Sequence, residues 1–426
     1  MRTNNSWHID PYVQHIPDEE FSQIRNYRHD MYDFDKAIDR RGTGALKISS
    51  LRERFGDDGL LAMWVADMDF ETPPFIVAAL RRRMEHPIFG YTVEPDDYWP
   101  SVIDWIASHH GWQVERRWLT YIPGVVKGIG MAINVFVKAG EKVIIQPPVY
   151  HPFRLTAEGN GREVVNNPLI RHADGTYSMD FDGLERVADD KCRMLIMSNP
   201  HNPGGICWDR ETLRRLADFC RRRGIIVISD EIHCDLTLWQ NRHIPFATVS
   251  DAAAECSITF GAPTKTFNMA GIVSSYAIVI NDKLRRRFFK WLSVNELNAP
   301  NIFAPIATTA AYRNGEQWRR EMLRYVERNI DLVTSYCAEN IPEIKPLRPQ
   351  ASYLVWLDCR GLHLDHDGLV SLFVKKAHLA LNDGEMFGQG GEGHMRLNVA
   401  CPRPTVERAL RQLHAAVDSY RPRGTV

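Results

Sequence analysis

Three short polar motifs carry residue types that can do amine and acid–base chemistry. They are Asn199-Pro-His-Asn-Pro-Gly-Gly205, Asp230-Glu-Ile-His233 and Ala262-Pro-Thr-Lys265. Each motif follows a run of apolar residues typical of a buried β-strand. The carboxyl ends of parallel strands meet at one edge of a sheet, and ligands bind in the crevice there. The sequence therefore predicts that a lysine amine, a carboxylate and an amide converge on one ligand.

Pyridoxal 5′-phosphate (PLP) is a cofactor that needs such a set of side chains. A lysine must form an imine with its aldehyde and later move protons. A carboxylate must keep its ring nitrogen protonated, because the cationic ring takes up electrons. A polar side chain should hold the phenolate oxygen, and a helix N-terminus should hold the phosphate. The chain offers a candidate for each part. The sequence therefore predicts an enzyme that carries PLP on Lys265.

The elements that must position these motifs alternate between strand and helix patterns. Helices are predicted at Val125–Lys138 and Asp209–Arg223, the second ending before Gly224. Predicted strands are Lys142–Ile145, Cys192–Ser198, Ile225–Ser229 and Cys256–Phe260. This alternation predicts an α/β fold with a mostly parallel sheet flanked by helices.

After residue 304 the pattern changes to that of a smaller α+β unit. Helices are predicted at 318–339, 369–378 and 405–420, and strands at 352–357 and 394–400. We expect residues 1–30 to be an N-terminal extension and 66–303 to be a large PLP-binding domain. Residues 31–65 and 304–426 would then form the N-terminal and C-terminal parts of a small domain.

Composition narrows the class of protein and its partners. The chain has 426 residues, of which 44% are hydrophobic and 25% charged, as in ordinary globular proteins, and its formal net charge is −1. That balance predicts neither a nucleic-acid partner nor an anionic membrane partner. The eight cysteines form no CxxC pair and no zinc-type spacing, which predicts a cytoplasmic protein without a bound metal.

The motif series resembles the signature of fold-type I PLP enzymes, the aspartate aminotransferase superfamily. The resemblance extends over about residues 30–420 and rests first on NPHNPGG, SDEIH and APTKTFN. Other segments are similar to the MalY/PatB-type subgroup of cystathionine β-lyase-like carbon–sulfur lyases. These segments are DFDKAIDRRGTGALK, VADMDFETP, FGYT, PPVYHPF and RLNVACPR. The resemblance implies the aminotransferase-like fold, a PLP cofactor and an amino-acid substrate.

The resemblance also implies roles at single positions. Lys265 resembles the Schiff-base lysine that also removes the Cα proton. Asp230 resembles the partner of the ring nitrogen, and Asn202 the donor to the phenolate oxygen. Tyr150 resembles the aromatic ring stacked on the cofactor. Arg396 resembles the arginine that binds the substrate's α-carboxylate, for which a planar guanidinium is suited.

The remaining implied contacts concern the rim of the cofactor. Gly124, Val125 and Val126 open a helix and would offer backbone N–H groups to the phosphate, with the Thr264 hydroxyl beside them. Tyr91 resembles a tyrosine that reaches the phosphate from a neighbouring subunit, which implies a homodimer. His233 is expected to be a hydrogen-bonded residue next to the cofactor, neither acid nor base.

Two positions depart from the wider superfamily. Ala262 and Val273 stand where many aminotransferases carry a hydroxyl residue and an arginine for the phosphate. The missing arginine argues against a standard aminotransferase and gives more weight to Tyr91 and to the backbone donors.

Each site residue also has an ordinary structural interpretation. Asp230 could cap a helix, and Asn202 could be a turn residue between two prolines. Tyr150 and Tyr91 could be packing aromatics, and Arg396 could pair with a carboxylate of the protein. Their joint occurrence in one strand–helix series favours the cofactor site.

The favoured function is a PLP-dependent β-lyase that cleaves L-cystathionine or a related cysteine S-conjugate to a thiol, pyruvate and ammonia. Two alternatives stay open. One is a PLP-dependent aminotransferase, which would use the same cofactor and carboxylate contacts. The other is a PLP-fold protein with a regulatory binding role.

Overall fold

The computed structural model describes residues 32–420, so the predicted extension of residues 1–30 lies outside the described residues. The strands are β1 Leu61–Ala62, β2 Leu119–Ile122, β3 Lys142–Ile145, β4 Glu163–Asn166, β5 Ile170–Arg171, β6 Tyr177–Ser178, β7 Cys192–Ser198, β8 Ile226–Asp230, β9 Ser257–Gly261, β10 Ser275–Ile278, β11 Lys345–Leu347, β12 Leu354–Asp358, β13 Leu379–Ala380, β14 Asn382–Asp383 and β15 His394–Asn398. The predicted strands at 142–145 and 192–198 have the bounds that the sequence indicated.

Helices cover both faces of this framework. They are α1 Leu46–Ser49, α2 Leu51–Phe55, α3 Pro74–Glu85, α4 Tyr98–His110, α5 Val125–Phe136, α6 Pro152–Gly159, α7 Phe181–Val187, α8 Arg210–Arg223, α9 Asp251–Cys256, α10 Asp282–Val294, α11 Phe303–Asn314, α12 Glu316–Asn340, α13 His366–Ser371 and α14 Arg403–Asp418. Within residues 32–420, the chain has no helix with the length and apolarity needed to cross a membrane.

The central sheet has seven strands in the order β2-β10-β9-β8-β7-β3-β4. The pairs from β4 to β9 are parallel, whereas β10 is antiparallel to both β9 and β2. The predicted mostly parallel sheet is therefore confirmed, but β2 and β10 were not foreseen. Residues 262–274 between β9 and β10 contain only a short 3-10 turn, Ala270–Ile272, in place of the crossover helix that a parallel return needs.

Helix α8 illustrates how the sequence sets these elements. The Asp209 carboxylate accepts the Thr212 backbone N–H at 2.8 Å and caps the helix start. Apolar side chains on one face are buried, among them Leu213 and Leu216. Gly224 ends the helix in the left-handed conformation, with φ +66°. The amphipathic pattern and both end signals predicted this helix to within one residue.

A second sheet of four antiparallel strands, in the order β11-β12-β15-β14, lies in the C-terminal part. Strand β1 pairs in parallel with β13, which joins residues near 61 to residues near 380. The predicted helix at 369–378 begins earlier and is only partly α-helical, since α13 spans His366–Ser371 and a π-helical turn, Leu372–Lys376, follows. The last described helix, α14, lies close to the predicted range of 405–420.

Candidate active site

The three polar motifs meet at one edge of the central sheet. Strands β7, β8 and β9 are parallel neighbours, so their carboxyl ends lie side by side. The backbone links continue past the strand ends: the Asn199 N–H donates to the Asp230 carbonyl, and the Glu231 N–H to the Phe260 carbonyl, both at 2.9 Å. The convergence of the three motifs is therefore observed.

Lys265 lies on the turn after β9 and is partly buried. Its Nζ donates a hydrogen bond to the carbonyl oxygen of Ala66 at 2.5 Å. Burial, followed by the positive charge of Arg396, lowers the pKa of Lys265 to about 8. A lysine with that pKa has a sizeable neutral fraction near neutral pH, and the neutral amine is the nucleophile.

Asp230 ends β8 with its side chain buried. The structure gives its carboxylate one hydrogen bond, from the backbone N–H of Ile232 at 3.1 Å. Burial raises the pKa of Asp230 to about 7, against the lowering effects of this bond and of Lys265. A buried carboxylate with a single hydrogen bond needs a further partner, and a protonated ring nitrogen is a suitable one.

Arg396 on β15 is a buried guanidinium whose bonds go to neutral oxygens. Its Nη1 donates to Asn202 Oδ1 at 2.9 Å, and its Nη2 to Asn382 Oδ1 at 2.5 Å and to the Trp64 carbonyl at 3.2 Å. Its Nε is buried without a partner among residues 32–420. Burial lowers the pKa of Arg396 to about 10. The arrangement leaves a buried positive charge that a ligand carboxylate would complement.

Asn202 and Tyr150 lie next to each other beside this arginine. The Tyr150 backbone N–H donates to the Asn202 carbonyl at 3.0 Å. The Oδ1 of Asn202 receives Arg396, so the contact does not use its Nδ2 donor. Burial raises the pKa of Tyr150, which keeps its hydroxyl protonated near neutral pH. The two residues are thus held where Asn202 could donate a hydrogen bond to a planar ligand and the Tyr150 ring could stack on it.

Helix α5 presents an open N-terminus after β2. Gly124 precedes the helix with φ +111° and provides no side-chain cap, so within residues 32–420 the first N–H groups, from Val125 and Val126, receive no side-chain cap. A Cβ placed on Gly124 would meet nothing within 4 Å, which indicates open space at this end. A phosphate suits such a helix start.

His233, Thr264 and Tyr91 complete the predicted set. Nδ1 of His233 is buried and lacks the expected hydrogen bond within the described chain, and burial lowers the pKa of His233 to about 3. Thr264 is buried on the turn before Lys265, where its carbonyl accepts the Met269 N–H at 3.0 Å. Tyr91 is fully exposed in this single chain and touches none of the other predicted site residues.

Sequence reasoning missed the residues that hold Lys265 and Arg396 from the opposite side. The Ala66 carbonyl accepts from Lys265 and, at 3.0 Å, from the Tyr353 hydroxyl. Asn382 binds Arg396, as described above. Ala66 lies within the VADMDFETP motif, but a backbone carbonyl has no side-chain signal that could have revealed it. Tyr353 precedes β12 and Asn382 lies on β14, and only the folded chain defines how these strands pair.

The chain matches the family model for aminotransferase class I and II over residues 61–413. It is 42% identical over 386 residues to cystathionine beta-lyase PatB of Bacillus subtilis, a match that covers 90% of this chain and 99% of that protein. Protein MalY of Escherichia coli is 32% identical over 394 residues, covering 92% of this chain and 100% of MalY. The PLP-bound C-S lyase from Staphylococcus hominis superposes with a TM-score of 0.85 at 32% identity, covering 91% and 98% of the two chains.

The chain therefore belongs to the aminotransferase class I and II family, and its fold is that of the fold-type I PLP-dependent enzymes. Within this class, the resemblance to MalY/PatB-type carbon–sulfur lyases is confirmed. The PLP dependence expected from the sequence is confirmed as well.

Proposed function

We propose that the chain is a PLP-dependent carbon–sulfur β-lyase that cleaves L-cystathionine, or a related cysteine S-conjugate, to a thiol, pyruvate and ammonia. The observation that carries the proposal is a buried arginine, Arg396, within one hydrogen-bonded set with Asn202 beside the strand ends that hold Lys265 and Asp230. The relatives named as cystathionine β-lyases, of which this chain covers almost the whole length, support the same activity.

The proposed cofactor contacts follow from the free groups of the site. Asp230 would pair with the ring nitrogen, Asn202 Nδ2 would donate to the phenolate oxygen, and Tyr150 would pack on the ring. The N–H groups of Val125 and Val126 would bind the phosphate, with Gly124 giving them room. Among residues 32–420 these groups lack full partners or lie beside open space, so they fit PLP.

Two further residues would complete the surroundings of the cofactor. Thr264 would add its hydroxyl to the phosphate site. His233, kept neutral by its burial, would lie beside the cofactor without moving protons.

When bound, PLP supplies an aldehyde that condenses with amines and a protonated ring that takes up the electron pair left at Cα. Lys265 would hold the cofactor and then, as a neutral amine, accept the Cα proton of the substrate at Nζ. Arg396 would bind the substrate's α-carboxylate and so orient the Cα–H bond toward Lys265. Asp230, kept ionised by the ring's positive charge, would hold the proton on the ring nitrogen.

The proposal is tested with purified holoenzyme and L-cystathionine. Hydrolytic cleavage consumes one water and releases homocysteine, pyruvate and ammonia in equal amounts. Borohydride reduction followed by peptide mapping should place the cofactor label on Lys265, and Lys265→Ala should lose both the label and the lyase activity. Transfer of the amino group to a 2-oxo acid without pyruvate release would instead assign an aminotransferase.

We further propose that the working unit is a homodimer in which Tyr91 of one subunit contacts the phosphate of the other. The support is the full exposure of Tyr91 in the single chain, on a stretch with other exposed apolar side chains. The proposed division of the chain is a large cofactor domain of residues 66–303 and a small domain of residues 31–65 and 304–426. The pairing of β1 with β13 supports that grouping.

A cytoplasmic location is proposed on the cysteines. All eight are free, and seven of them are buried, which fits a reducing compartment in which thiols serve only as packing groups. The proposed ligand class for this nearly neutral chain is a small-molecule amino-acid substrate, with no nucleic-acid or membrane partner.

A further inference from the structure

A second group of buried polar side chains lies directly behind the proposed cofactor site. Two carboxylates form its centre: Glu231, which follows Asp230, and Asp235 on the same segment. Two histidines, His110 on α4 and His243, donate to them. The proposed reaction uses none of these groups, although the polar atoms are buried at a cost that only satisfied hydrogen bonds offset.

Asp235 receives hydrogen bonds from three different parts of the chain. Its Oδ1 accepts from Trp105 Nε1 at 3.0 Å and from His110 Nε2 at 2.8 Å. Its Oδ2 accepts from the Thr266 hydroxyl at 3.2 Å. Burial by itself would raise the pKa of Asp235, but the bonds from His110 and Trp105 and the charge of Arg319 lower it well below its usual range. The carboxylate therefore stays ionised and links α4 to the residue that follows Lys265.

The partners of Asp235 are themselves fixed. Trp105 stacks on the Tyr312 ring, with centroids 5.0 Å apart. The His110 ring meets the edge of His243 at 5.3 Å, and His243 Nε2 bonds Glu231 at 2.8 Å. An anchor whose own side chains are locked by packing can hold a neighbouring group within a few tenths of an ångström.

A metal site is the competing interpretation of this cluster. His110, Cys234 and Asp235 each offer a ligand atom, and these atoms lie within 4.8 Å of one another. However, His110 Nε2 and Asp235 Oδ1 already bond each other, and Trp105 donates to the same oxygen. A cation would have to break two satisfied hydrogen bonds, so the cluster is better described as a hydrogen-bond anchor.

We infer that Asp235 is a positioning residue, which holds the turn bearing Lys265 in its working orientation through the Thr266 hydroxyl. The inference rests on the proposed role of Lys265. Residues 262–268 contain no regular helix or strand, and two backbone bonds close the turn, from the Phe267 N–H to the Pro263 carbonyl and from the Met269 N–H to the Thr264 carbonyl. Asn268 ties the far end of the turn to residues 68–70. The bond from Thr266 to a rigid anchor adds a side-chain tether next to the lysine and limits rotation there. Loss of the bond should leave the cofactor attached but change the angle at which Nζ meets it.

The test compares two Thr→Val variants of the holoenzyme. Thr266→Val removes the hydroxyl that bonds Asp235 and keeps the side-chain volume. Thr259→Val on β9 is the matched control, because Thr259 is also buried and its hydroxyl has no partner among residues 32–420. Thr266→Ser retains a hydroxyl and serves as the rescue variant. The readouts are kcat and KM for L-cystathionine, the pH midpoint of the cofactor absorbance band, and the thermal midpoint.

We expect Thr266→Val to lower kcat about tenfold with little change in KM, since one lost orienting hydrogen bond is of that size. The pH midpoint of the absorbance band should move, while Thr259→Val should match the parent in both readouts. Thr266→Ser should restore most of kcat and of the midpoint. An unmoved absorbance midpoint in Thr266→Val, with kcat reduced only in proportion to lost folded protein, would overturn the inference.

Failure of the proposed function gives a different result. If the role of Lys265 fails, the parent protein itself shows no borohydride-trapped label at position 265. If only the lyase activity fails, the label is present but the parent releases no pyruvate from L-cystathionine, whatever the Thr266 variants do. Asp235→Asn provides a second test of the anchor. It should shift the absorbance midpoint in the same direction as Thr266→Val, and a shift in the opposite direction would contradict the inference.

Discussion

At the scale of single residues, the site holds charged groups in surroundings that oppose their charge. Burial lowers the pKa of Lys265 to about 8 and raises that of Asp230 to about 7. Both displacements favour the neutral forms of these side chains. A bound cofactor with a cationic ring would favour the ionised form of Asp230. Pairing with this carboxylate would therefore contribute to cofactor affinity.

The first prediction follows from the direction in which the pKa of Asp230 is shifted. A carboxyl whose folded pKa lies above its unfolded value binds extra protons in the folded state between the two values. Apoprotein stability should therefore fall as pH rises from about 4 to about 7 because of Asp230. Apo Asp230→Asn should lack this loss, and near pH 8 its free energy of unfolding should exceed that of the parent by up to about 4 kcal/mol.

Denaturant unfolding of both apoproteins at pH 4 and pH 8 measures this difference. Titrating groups that do not interact with Asp230 are common to both proteins and cancel in the comparison. Lys265 does interact with Asp230, so its titration is part of the measured difference. A stability difference that stays constant between the two pH values would contradict the assigned environment of Asp230. With PLP bound, the ranking should reverse, since the amide cannot pair with a protonated ring nitrogen.

The second prediction concerns Arg396 and the substrate carboxylate. Arg396→Lys keeps the charge but loses the planar pair of donors, so KM for L-cystathionine should rise about 100-fold. Arg360→Lys is the matched control. Arg360 pairs with Asp358 near the end of β12 and is half exposed, so its replacement should leave KM within about twofold. Equal KM values for both variants would remove Arg396 from substrate binding.

At the scale of elements, the segment of residues 64–70 covers the lysine and is fixed mainly by side chains. Asn398 Nδ2 donates to the carbonyls of Val65 and Asp67 at 2.6 and 2.7 Å. From the other side, Asn268 Oδ1 accepts the Met68 N–H at 3.0 Å. Asn268 Nδ2 donates to the carbonyls of Met68 and Phe70. The two asparagines replace the strand pairing that this segment lacks.

The third prediction removes one of these two asparagines. Asn268 has φ +49°, a conformation that glycine adopts freely, so Asn268→Gly deletes the amide without adding backbone strain. Loss of three hydrogen bonds should cost about 3 kcal/mol of unfolding free energy and should lower kcat, because the Ala66 carbonyl would lose its fixed position. His363→Gly is the control, since His363 is exposed with φ +54°. A stability loss of equal size in both variants would show that backbone entropy alone is responsible.

Local patterns predicted much of this architecture, and the rest depends on contacts between distant parts of the chain. Apolar runs ending at Ser198 and Asp230 identified two central strands, and the cap at Asp209 identified α8. By contrast, β10 returns antiparallel because residues 262–274 form no crossover helix. No periodic pattern in the local sequence indicates this. Two other contacts join segments that are distant in sequence. Lys265 bonds the Ala66 carbonyl, about 200 residues away, and Thr266 bonds Asp235, about 30 residues away, so only the folded chain shows them.

At the scale of the whole molecule, an exposed apolar stretch supports the proposed homodimer. Residues 87–95 have no regular secondary structure, and several of their large side chains face solvent. Ile88 is 66% exposed, Val93 90%, and Tyr91 completely. Contiguous apolar side chains of this kind are usually covered by a partner. A second copy of the chain, related by a twofold axis, would cover the stretch on both subunits at once.

The fourth prediction tests whether that second copy also completes the active site. Lys265→Ala destroys the site that its own subunit carries, whereas Tyr91→Ala would damage the site of the neighbouring subunit. Each homodimer should therefore be nearly inactive. In a mixed dimer both losses fall on the same site, and the other site keeps its native Lys265 and Tyr91. Equal mixing should restore about a quarter of the parent activity per subunit, because half of the dimers are mixed and each has one intact site. Activity is measured after joint refolding, with light scattering to establish the dimer. If Tyr91 instead served its own subunit, each mixed dimer would carry one site without Lys265 and one without Tyr91, and mixing would restore nothing.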